Sequence, residues 1–514
     1  MKYSSIVIAV ATGTLFGSLG LSQEIEVSPV HEVNPVQDSY SRVTFLQDEE
    51  SGVDDLREEF KKMELRLREL EDDHESLSES AKSEFSTSEE TLDSIGESVE
   101  ELDESVGALD KSLTKIKDTL PGLVYHSHKK PKLSFFGRVH IDYWAFPKAQ
   151  AGIEALEGGD PEDLFNFRRL RIGVKGNLND NMLYKYEGEF ANGVNPSYRD
   201  AYIGWTDLPL LQTVLLGNQK RPYGLDHLNS SRYNVFVERP FIIEAHNEDS
   251  RRLGLTSYGH SKDLSQNWRF GIYNHRLTQT QAGHIGDHYQ PELASRRAWT
   301  PWYDECSGGR GYFHFGVAGS VAFPNGRGGD DNDSRYRTRP EARSSARWLD
   351  TGRIEGANVA KLAAVETVFN YGPFQAVAEY QESSVERTGA EDVNFHGGYF
   401  YVSYFLTGEH IPWDRKSGTL GRMKPFENFF RVRDCDCNTQ TGWGAWQVAM
   451  RYSYADFNDL DILGGDGEAF TLGLNWHWNP YARWQLNYII GDIKREPLGS
   501  GDYEIFGLRF MVDF

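Results

Sequence analysis

Phe506-Gly507-Leu508-Arg509-Phe510-Met511-Val512-Asp513-Phe514 closes the chain, and every even position in it is a large apolar side chain. Successive side chains of a strand point to opposite faces, so Phe506, Leu508, Phe510, Val512 and Phe514 share one side and Gly507 and Arg509 the other. As the edge of a soluble sheet such a strand would invite aggregation. The pattern makes sense if the apolar face meets lipid and the polar face meets water, which is how the strands of an outer-membrane barrel are built.

The other terminus agrees. Residues 1–22 read as a signal peptide: Lys2 supplies the positive n-region, Ile6 to Leu21 the apolar h-region, and Gly20-Leu21-Ser22 a small-x-small cleavage site. The mature chain is expected to start near Gln23. The apolar stretch is shorter than the roughly 20 continuous residues a spanning helix needs, which argues against a membrane anchor. No later segment supplies such a run.

Mean composition is polar, with 77 acidic against 54 basic residues and a net charge of -23. Alternation keeps the average hydropathy low, while 13% aromatics and 50 glycines provide girdles, turns and bends. The acidity is uneven. Residues 24–130 hold 29 acidic and 12 basic residues, leaving 48 and 41 from Pro131 onward. The acidic surplus therefore sits mainly outside the alternating part of the chain.

That acidic part reads as a linker, 23–51, followed by a coiled coil, 52–120. Val53, Leu56, Phe60, Met63, Leu67 and Leu70 alternate spacings of three and four, as do Leu92, Ile95, Val99, Leu102, Val106, Leu109, Leu113, Ile116 and Leu120. The two registers differ by four residues, a stutter, across the Ser/Glu-rich stretch 75–90. A continuous helix would reach on the order of 100 Å. The alternative is a disordered acidic tail. A helical seam of this length needs partner chains, and peptidoglycan or another periplasmic component is the expected contact at its tip. Pro121-Gly122 ends the helix, and 121–131 form a second linker.

From 132 to 514 the chain is a succession of alternating segments separated by Gly, Asn, Asp and Pro clusters. Leu170, Ile172 and Val174 oppose Arg169, Arg171 and Lys175; Tyr184 and Tyr186 oppose Lys185, Glu187 and Glu189; Phe470, Leu472, Leu474, Trp476 and Trp478 oppose Thr471, Asn475 and His477. About fifteen such segments can be placed, and single-chain bacterial barrels carry an even number of strands, so sixteen are predicted, with one misjudged in 222–249 or 325–357. The fold class is therefore all-β: a 16-stranded antiparallel transmembrane β-barrel preceded by a periplasmic α-helical coiled coil. A barrel of that size leaves an aqueous channel. A soluble sandwich or propeller shares the period but explains neither the terminal aromatic nor the outward tryptophans.

Arg138, Arg169, Arg171, Lys175, Arg252, Arg269, Arg451, Arg483 and Arg509 fall on the polar parity of their segments and are expected to face the lumen. A ladder of cations is how a pore selects anions. The competing reading pairs these arginines with inward acids such as Asp142, Glu187, Glu189 and Asp200 to stiffen the wall. The stretch 222–248, with Lys220, Arg221, Arg232, Arg239 and His246 in or beside it, is either a constriction folded into the lumen or an ordinary loop at the mouth. Arg335, Arg337, Arg339, Arg343, Arg347 and Arg353 form a second cluster, read as an external loop that attracts anions or binds lipid headgroups.

Several blocks also carry a family resemblance. Phe167-Arg168-Arg169-Leu170-Arg171-Ile172-Gly173-Val174-Lys175-Gly176, Asp200-Ala201-Tyr202-Ile203-Gly204-Trp205, Gly217-Asn218-Gln219-Lys220-Arg221-Pro222-Tyr223-Gly224, Val237-Glu238-Arg239-Pro240, Leu406-Thr407-Gly408-Glu409 and Gly444-Ala445-Trp446-Gln447-Val448-Ala449-Met450-Arg451-Tyr452-Ser453 resemble, in order, the motif blocks of the phosphate-selective porin O and P family. The resemblance implies a homotrimeric sixteen-stranded porin in the outer membrane, surrounded by its lipid, passing small anions through an arginine- and lysine-lined pore. Phosphate or polyphosphate are candidate solutes, although no block matches the lysine-bearing constriction loop of the phosphate-specific members.

Other chemistry is thin. Cys306, Cys435 and Cys437 are an odd count, read as one disulfide and a leftover thiol. Asp330-Asp331-Asn332-Asp333 lacks the glycine and distal glutamate of a calcium loop. No cofactor, metal site, nucleic-acid partner or catalytic motif is expected, and no enzyme. The alternatives kept open are a general or sugar-taking porin, and a tether from outer membrane to cell wall acting through the coiled coil.

Overall fold

The computed structural model describes residues 58, 60–71, 105, 131–191, 193, 195–246, 250–275, 277, 289–324, 334–433 and 439–514. The chain divides into two units, Met1–Ser127 and His128–Phe514. In the first, residues 60–71 are helical. Met63, Leu67 and Leu70 recur there at helical spacing, and Lys62 and Arg68 pair with Glu58 and Glu64 one turn earlier. The expected signal peptide, the acidic linker and most of the expected coiled coil lie outside the described residues.

The second unit is a closed barrel of sixteen strands. They are β1 (Ser134–Ala149), β2 (Leu164–Asn179), β3 (Met182–Glu189), β4 (Ser197–Leu208), β5 (Gln212–Lys220), β6 (Arg251–His260), β7 (Gln266–Asn274), β8 (Pro291–Tyr303), β9 (Gly311–Ala322), β10 (Ala357–Tyr371), β11 (Phe374–Arg387), β12 (Val393–Phe405), β13 (Ala445–Asp459), β14 (Ile462–Asn479), β15 (Ala482–Arg495) and β16 (Gly499–Asp513). Each pairs antiparallel with its neighbours in sequence, and β16 returns to β1. Among the described residues, neither 222–249 nor 325–357 supplies a complete barrel strand. The seam closes on the terminal aromatic: Phe514 N donates to the Gly137 carbonyl at 3.2 Å and Gly137 N to the Phe514 carbonyl at 3.0 Å. A Cβ at position 137 would lie 2.5 Å from the Phe514 ring, so glycine is what lets the ring lie there.

Burial is inverted relative to a soluble sheet. Met450, Tyr452, Phe470, Leu472 and Ile490 are exposed, whereas Arg451, Ser453, Thr471, Gln485 and Asn487 between them are buried. That is the alternation expected of lipid outside and a polar interior. β1 begins and β16 finishes at the end where neighbouring strands are joined by turns such as 180–181, 209–211, 372–373 and 480–481. Short turns mark the periplasmic end of such barrels.

Three long connections enter the barrel. The first, 221–250 between β5 and β6, carries short helices Leu225–Leu228 and Phe241–His246. The second, between β9 and β10, is described from 334 and holds a two-stranded ribbon, Arg337–Thr338 with Leu349–Asp350. The third, 406–444, joins β12 to β13 at the short-turn end through a ribbon of Trp413–Asp414 with Thr419–Leu420 and a hairpin of Phe430–Arg433 with Thr439–Gly442.

These insertions enter because they are apolar where they meet the wall. Val235, Phe236, Val237, Phe241, Ile242 and Ile243 of the first are buried with Trp348, Leu349 and Ile354 of the second, Trp413 and Leu420 of the third, and the inward side chains Val377, Phe395, Tyr399 and Tyr401. The first and third connections meet where Leu420 N donates to Asn229 Oδ1 at 3.0 Å. The lumen is thus packed on the side of β10–β14. Buried charged residues occur all round the wall, and a cluster of arginines gathers on the side of β1–β6.

Candidate functional site: a cationic chamber in the lumen

The site begins with a fault in β2. Arg169 pairs with His140 and Phe167 with Ile141, leaving Arg168 as an extra residue between them. Such a bulge breaks strict alternation. Phe165, Phe167, Leu170 and Ile172 stay outside, while both Arg168 and Arg169 are directed inward.

Around these two arginines lies a cavity of about 280 Å³ lined by ten arginines and Lys220. Arg138, Arg168, Arg169, Arg171, Arg199 and Arg251 come from the wall, Arg239 from the first connection, and Arg339, Arg343 and Arg347 from the second. Among the described residues, only two carboxylates, Glu238 and Glu244, share the lining. Ser230, Ser231, Ser250 and His227 add neutral groups.

Much of this charge is matched. Arg138 Nη2 lies 2.6 Å from Glu187 Oε1, Arg171 Nε 2.5 Å from Glu189 Oε2, Arg251 Nε 2.5 Å from Asp200 Oδ1, and Arg239 Nε 2.7 Å from Asp226 Oδ1. Lys185 also pairs with Asp200. Arg168 grips Glu238 through Nε at 2.7 Å and Nη2 at 3.0 Å. Counting the acids behind the lining, eleven cations face six carboxylates among the described residues. Among the described residues, Arg169 and Arg343 have no ion-pair partner, and the polar neighbour of Arg169 is His140 Nδ1 at 3.3 Å.

Electrostatics of the connections reflect this excess. Arg168, then burial, then Arg339 push the Arg343 guanidinium down to about 10, so it stays charged at neutral pH. Burial alone would raise the Glu238 carboxyl, but Arg168, Arg509 and Arg169 hold it well below the usual carboxylate range. Burial, with Lys220 and Arg221 beside it, keeps His227 well below the ordinary imidazole value and hence neutral.

The thirteen residues singled out from the sequence divide into groups. Arg138, Arg169, Arg171, Lys220 and Arg239 meet at the chamber, although Lys220 Nζ is engaged by the carbonyls of His227, Leu228 and Asn229 at 2.9, 2.9 and 2.7 Å. Lys175 and Arg232 stand with Lys185 around the Phe136 ring, at 5.8, 5.7 and 5.4 Å from its centroid, nearer the short-turn end. Arg232 is paired with Asp513 at 3.0 Å.

Arg451, Arg483 and Arg509 hold the first connection across the lumen instead of lining the chamber. Arg451 Nη1 donates to the Glu238 carbonyl at 3.0 Å, Arg483 Nη2 to the Asn234 carbonyl at 2.6 Å, and Arg509 Nη1 to the Val237 carbonyl at 2.5 Å. Arg509 also clamps Asp142 at 2.7 and 2.6 Å. Arg221 is buried against Glu292 at 2.8 Å and stacks on Tyr223. Arg252 donates to the His275 carbonyl at 2.5 Å, and Arg269 stacks on Tyr258 at 4.9 Å.

The chamber residues that alternation does not reach are Arg168, turned in by the bulge, and Arg199 and Arg251, close to strand ends. Arg339, Arg343 and Arg347 form part of the cluster read as an external loop; they line the chamber because Trp348, Leu349 and Ile354 bury their connection inside the barrel. Cys306 is exposed, while Cys435 and Cys437 lie outside the described residues.

Comparison with known proteins adds to this geometry. The family model described as phosphate-selective porin O and P matches residues 135–514. An uncharacterized protein of Caulobacter vibrioides is 27% identical over 386 residues, covering 74% of this chain and 73% of that protein. Among solved structures, the outer-membrane protein OmpT of Vibrio cholerae in its trimer form is 11% identical, covers 75% of this chain and 100% of its own, and superposes with a TM-score of 0.45. For an anion-selective porin from Comamonas acidovorans the corresponding values are 12%, 75%, 100% and 0.44.

Proposed function

The chain belongs to the phosphate-selective porin O and P family and is an outer-membrane porin; from that premise we propose that its pore passes small anions and selects them in the chamber built around Arg168, Arg169 and Arg343. One observation carries the proposal: among the described residues, eleven cations face six carboxylates, and Arg169 and Arg343 have no carboxylate within 4 Å. An anion entering from water exchanges its hydration shell for fixed guanidinium donors, while a cation meets net repulsion. Oxyanions such as phosphate suit these donors best, because the guanidinium fork matches two oxygens at once.

Permeation then follows the β1–β6 side of the lumen, where the chamber arginines of the wall lie. The cations around Phe136 continue the path toward the short-turn end. Measuring the reversal potential of the refolded protein in a planar bilayer under a chloride gradient, and then titrating phosphate, tests the reading. Anion preference with conductance blocked by phosphate is the expected result. Absence of anion preference would leave a general porin whose arginines are structural.

We also propose a homotrimer. β3, β5, β6 and β7 have 8, 9, 10 and 9 residues, against 14 to 18 in β13–β16. At about 3.4 Å per residue and a tilt near 40°, strands of 8 to 10 residues stand roughly 20–26 Å high, while the hydrocarbon layer is about 30 Å thick. The low side of the wall suits contact with a second copy more than contact with lipid.

A further inference from the structure

The third connection leaves the lumen and ends outside the barrel. Phe429 packs on the outward side chains of β14: its ring lies 4.5 Å from Trp476 and 5.3 Å from Trp478, and its N–H donates to the Trp478 carbonyl at 2.6 Å. Trp476 stacks on Trp446 at 4.9 Å and donates through Nε1 to the Trp443 carbonyl at 2.9 Å. The hairpin of Phe430–Arg433 with Thr439–Gly442 therefore starts on the lipid-facing surface, at the short-turn end.

Phe429 is covered by these tryptophans, but three aromatic side chains beside it stay largely exposed. Phe426, Phe430 and Trp443 are 66%, 62% and 77% exposed. Phe430 also holds a left-handed backbone, with φ 69°, which a bulky residue adopts only at a cost. A strained backbone that displays a phenyl ring to water is a poor arrangement for a segment bathed in the periplasm.

We infer that Phe426, Phe430 and Trp443, at the described ends of this excursion, form an interfacial anchor seated in the periplasmic-side headgroup layer of the outer membrane. Two facts select lipid over a second copy of this chain. The hairpin is continuous with the outward tryptophans Trp446, Trp476 and Trp478, the type of side chain that marks a membrane–water boundary. It also stands at β13 and β14, across the sixteen-strand ring from the short strands β5 and β6, so, on the trimer contact proposed above, a copy seated on the low wall does not reach it.

The test uses the full chain with Cys306, Cys435 and Cys437 replaced by serine and a spin label at Phe430→Cys, reconstituted in phosphatidylethanolamine and phosphatidylglycerol vesicles. Reference labels go at Val448→Cys on the lipid face and Asn181→Cys in a short turn, and heat-modifiable migration shows that each barrel is formed. The expected oxygen-to-nickel-chelate collision ratio at 430 is close to that at 448 and well above that at 181. A ratio matching 181 would overturn the inference. Shielding from both agents with dipolar broadening would overturn it in favour of contact between copies.

Discussion

Neutralising Arg169 and Arg343 together, as Arg169→Gln/Arg343→Gln, isolates the charge the chamber holds in excess, because neither guanidinium has an ion-pair partner among the described residues. Two unit charges in contact at about 4 Å attract by about 1 kcal/mol in bulk water and about 4 kcal/mol at the effective dielectric typical of pairs near a protein surface. A cavity of about 280 Å³ holds on the order of nine waters at about 30 Å³ each, which places it between those limits. A loss of about 1.4 kcal/mol for each charge is tenfold in affinity. Allowing for non-additivity between neighbouring sites, the double variant should bind a blocking anion roughly 30- to 100-fold more weakly.

The assay is single-channel chloride conductance in a planar bilayer with phosphate titrated from one side, read as the half-blocking concentration. Lys361→Gln is the control, since Lys361 is outside the lumen lining and paired with Glu386, and it should leave the block unchanged. A double variant whose half-blocking concentration stays within about twofold of the parent, a difference near 0.4 kcal/mol, would refute the assignment of the chamber as the selecting element.

Glu238→Gln removes one of the two chamber carboxylates and is expected to tighten phosphate block several-fold while keeping the heat-modifiable band; weaker block would show that Glu238 serves mainly to position Arg168 and Arg509. Block by sulfate, whose charge is constant over the range, should be flat between about pH 5.5 and 8, because burial and the neighbouring cations keep His227 neutral. Protonation of His227 would add a positive charge to the chamber, so tightening of the block as pH falls through about 6.5 would contradict its assignment. Arg509→Ala leaves Asp142 buried without its clamp and frees the Val237 carbonyl, a change of about 3–5 kcal/mol for a broken buried pair. The measured outcome should be a lower unfolding temperature in detergent, together with larger and less selective conductance if the first connection is released.

The sequence by itself determined the wall. Period-two alternation carries both the strand and its two solvents, so Phe470, Leu472 and Leu474 outside and Thr471 and Asn475 inside could be assigned without any tertiary information, and sixteen strands followed from about fifteen countable segments together with the even number a closed bacterial barrel requires. The acids Asp142, Glu187, Glu189 and Asp200 were legible as inward partners for the same reason, and each forms an ion pair with an arginine.

What lies inside the ring was decided by contacts between residues far apart in the chain, which no local period encodes. Arg451, Arg483 and Arg509 share the inward parity of Arg138, yet they hold carbonyls of 234–238, because that is where the first connection crosses. Arg343 and Arg347 reach the chamber only because Trp348 and Ile354 find apolar cover inside the barrel. Arg168 is there because a single extra residue in β2 turns two neighbouring side chains the same way, a change in pairing that depends on β1. Alternation states which face a side chain leaves from; only the closed ring and the segments threaded through it decide what that side chain meets.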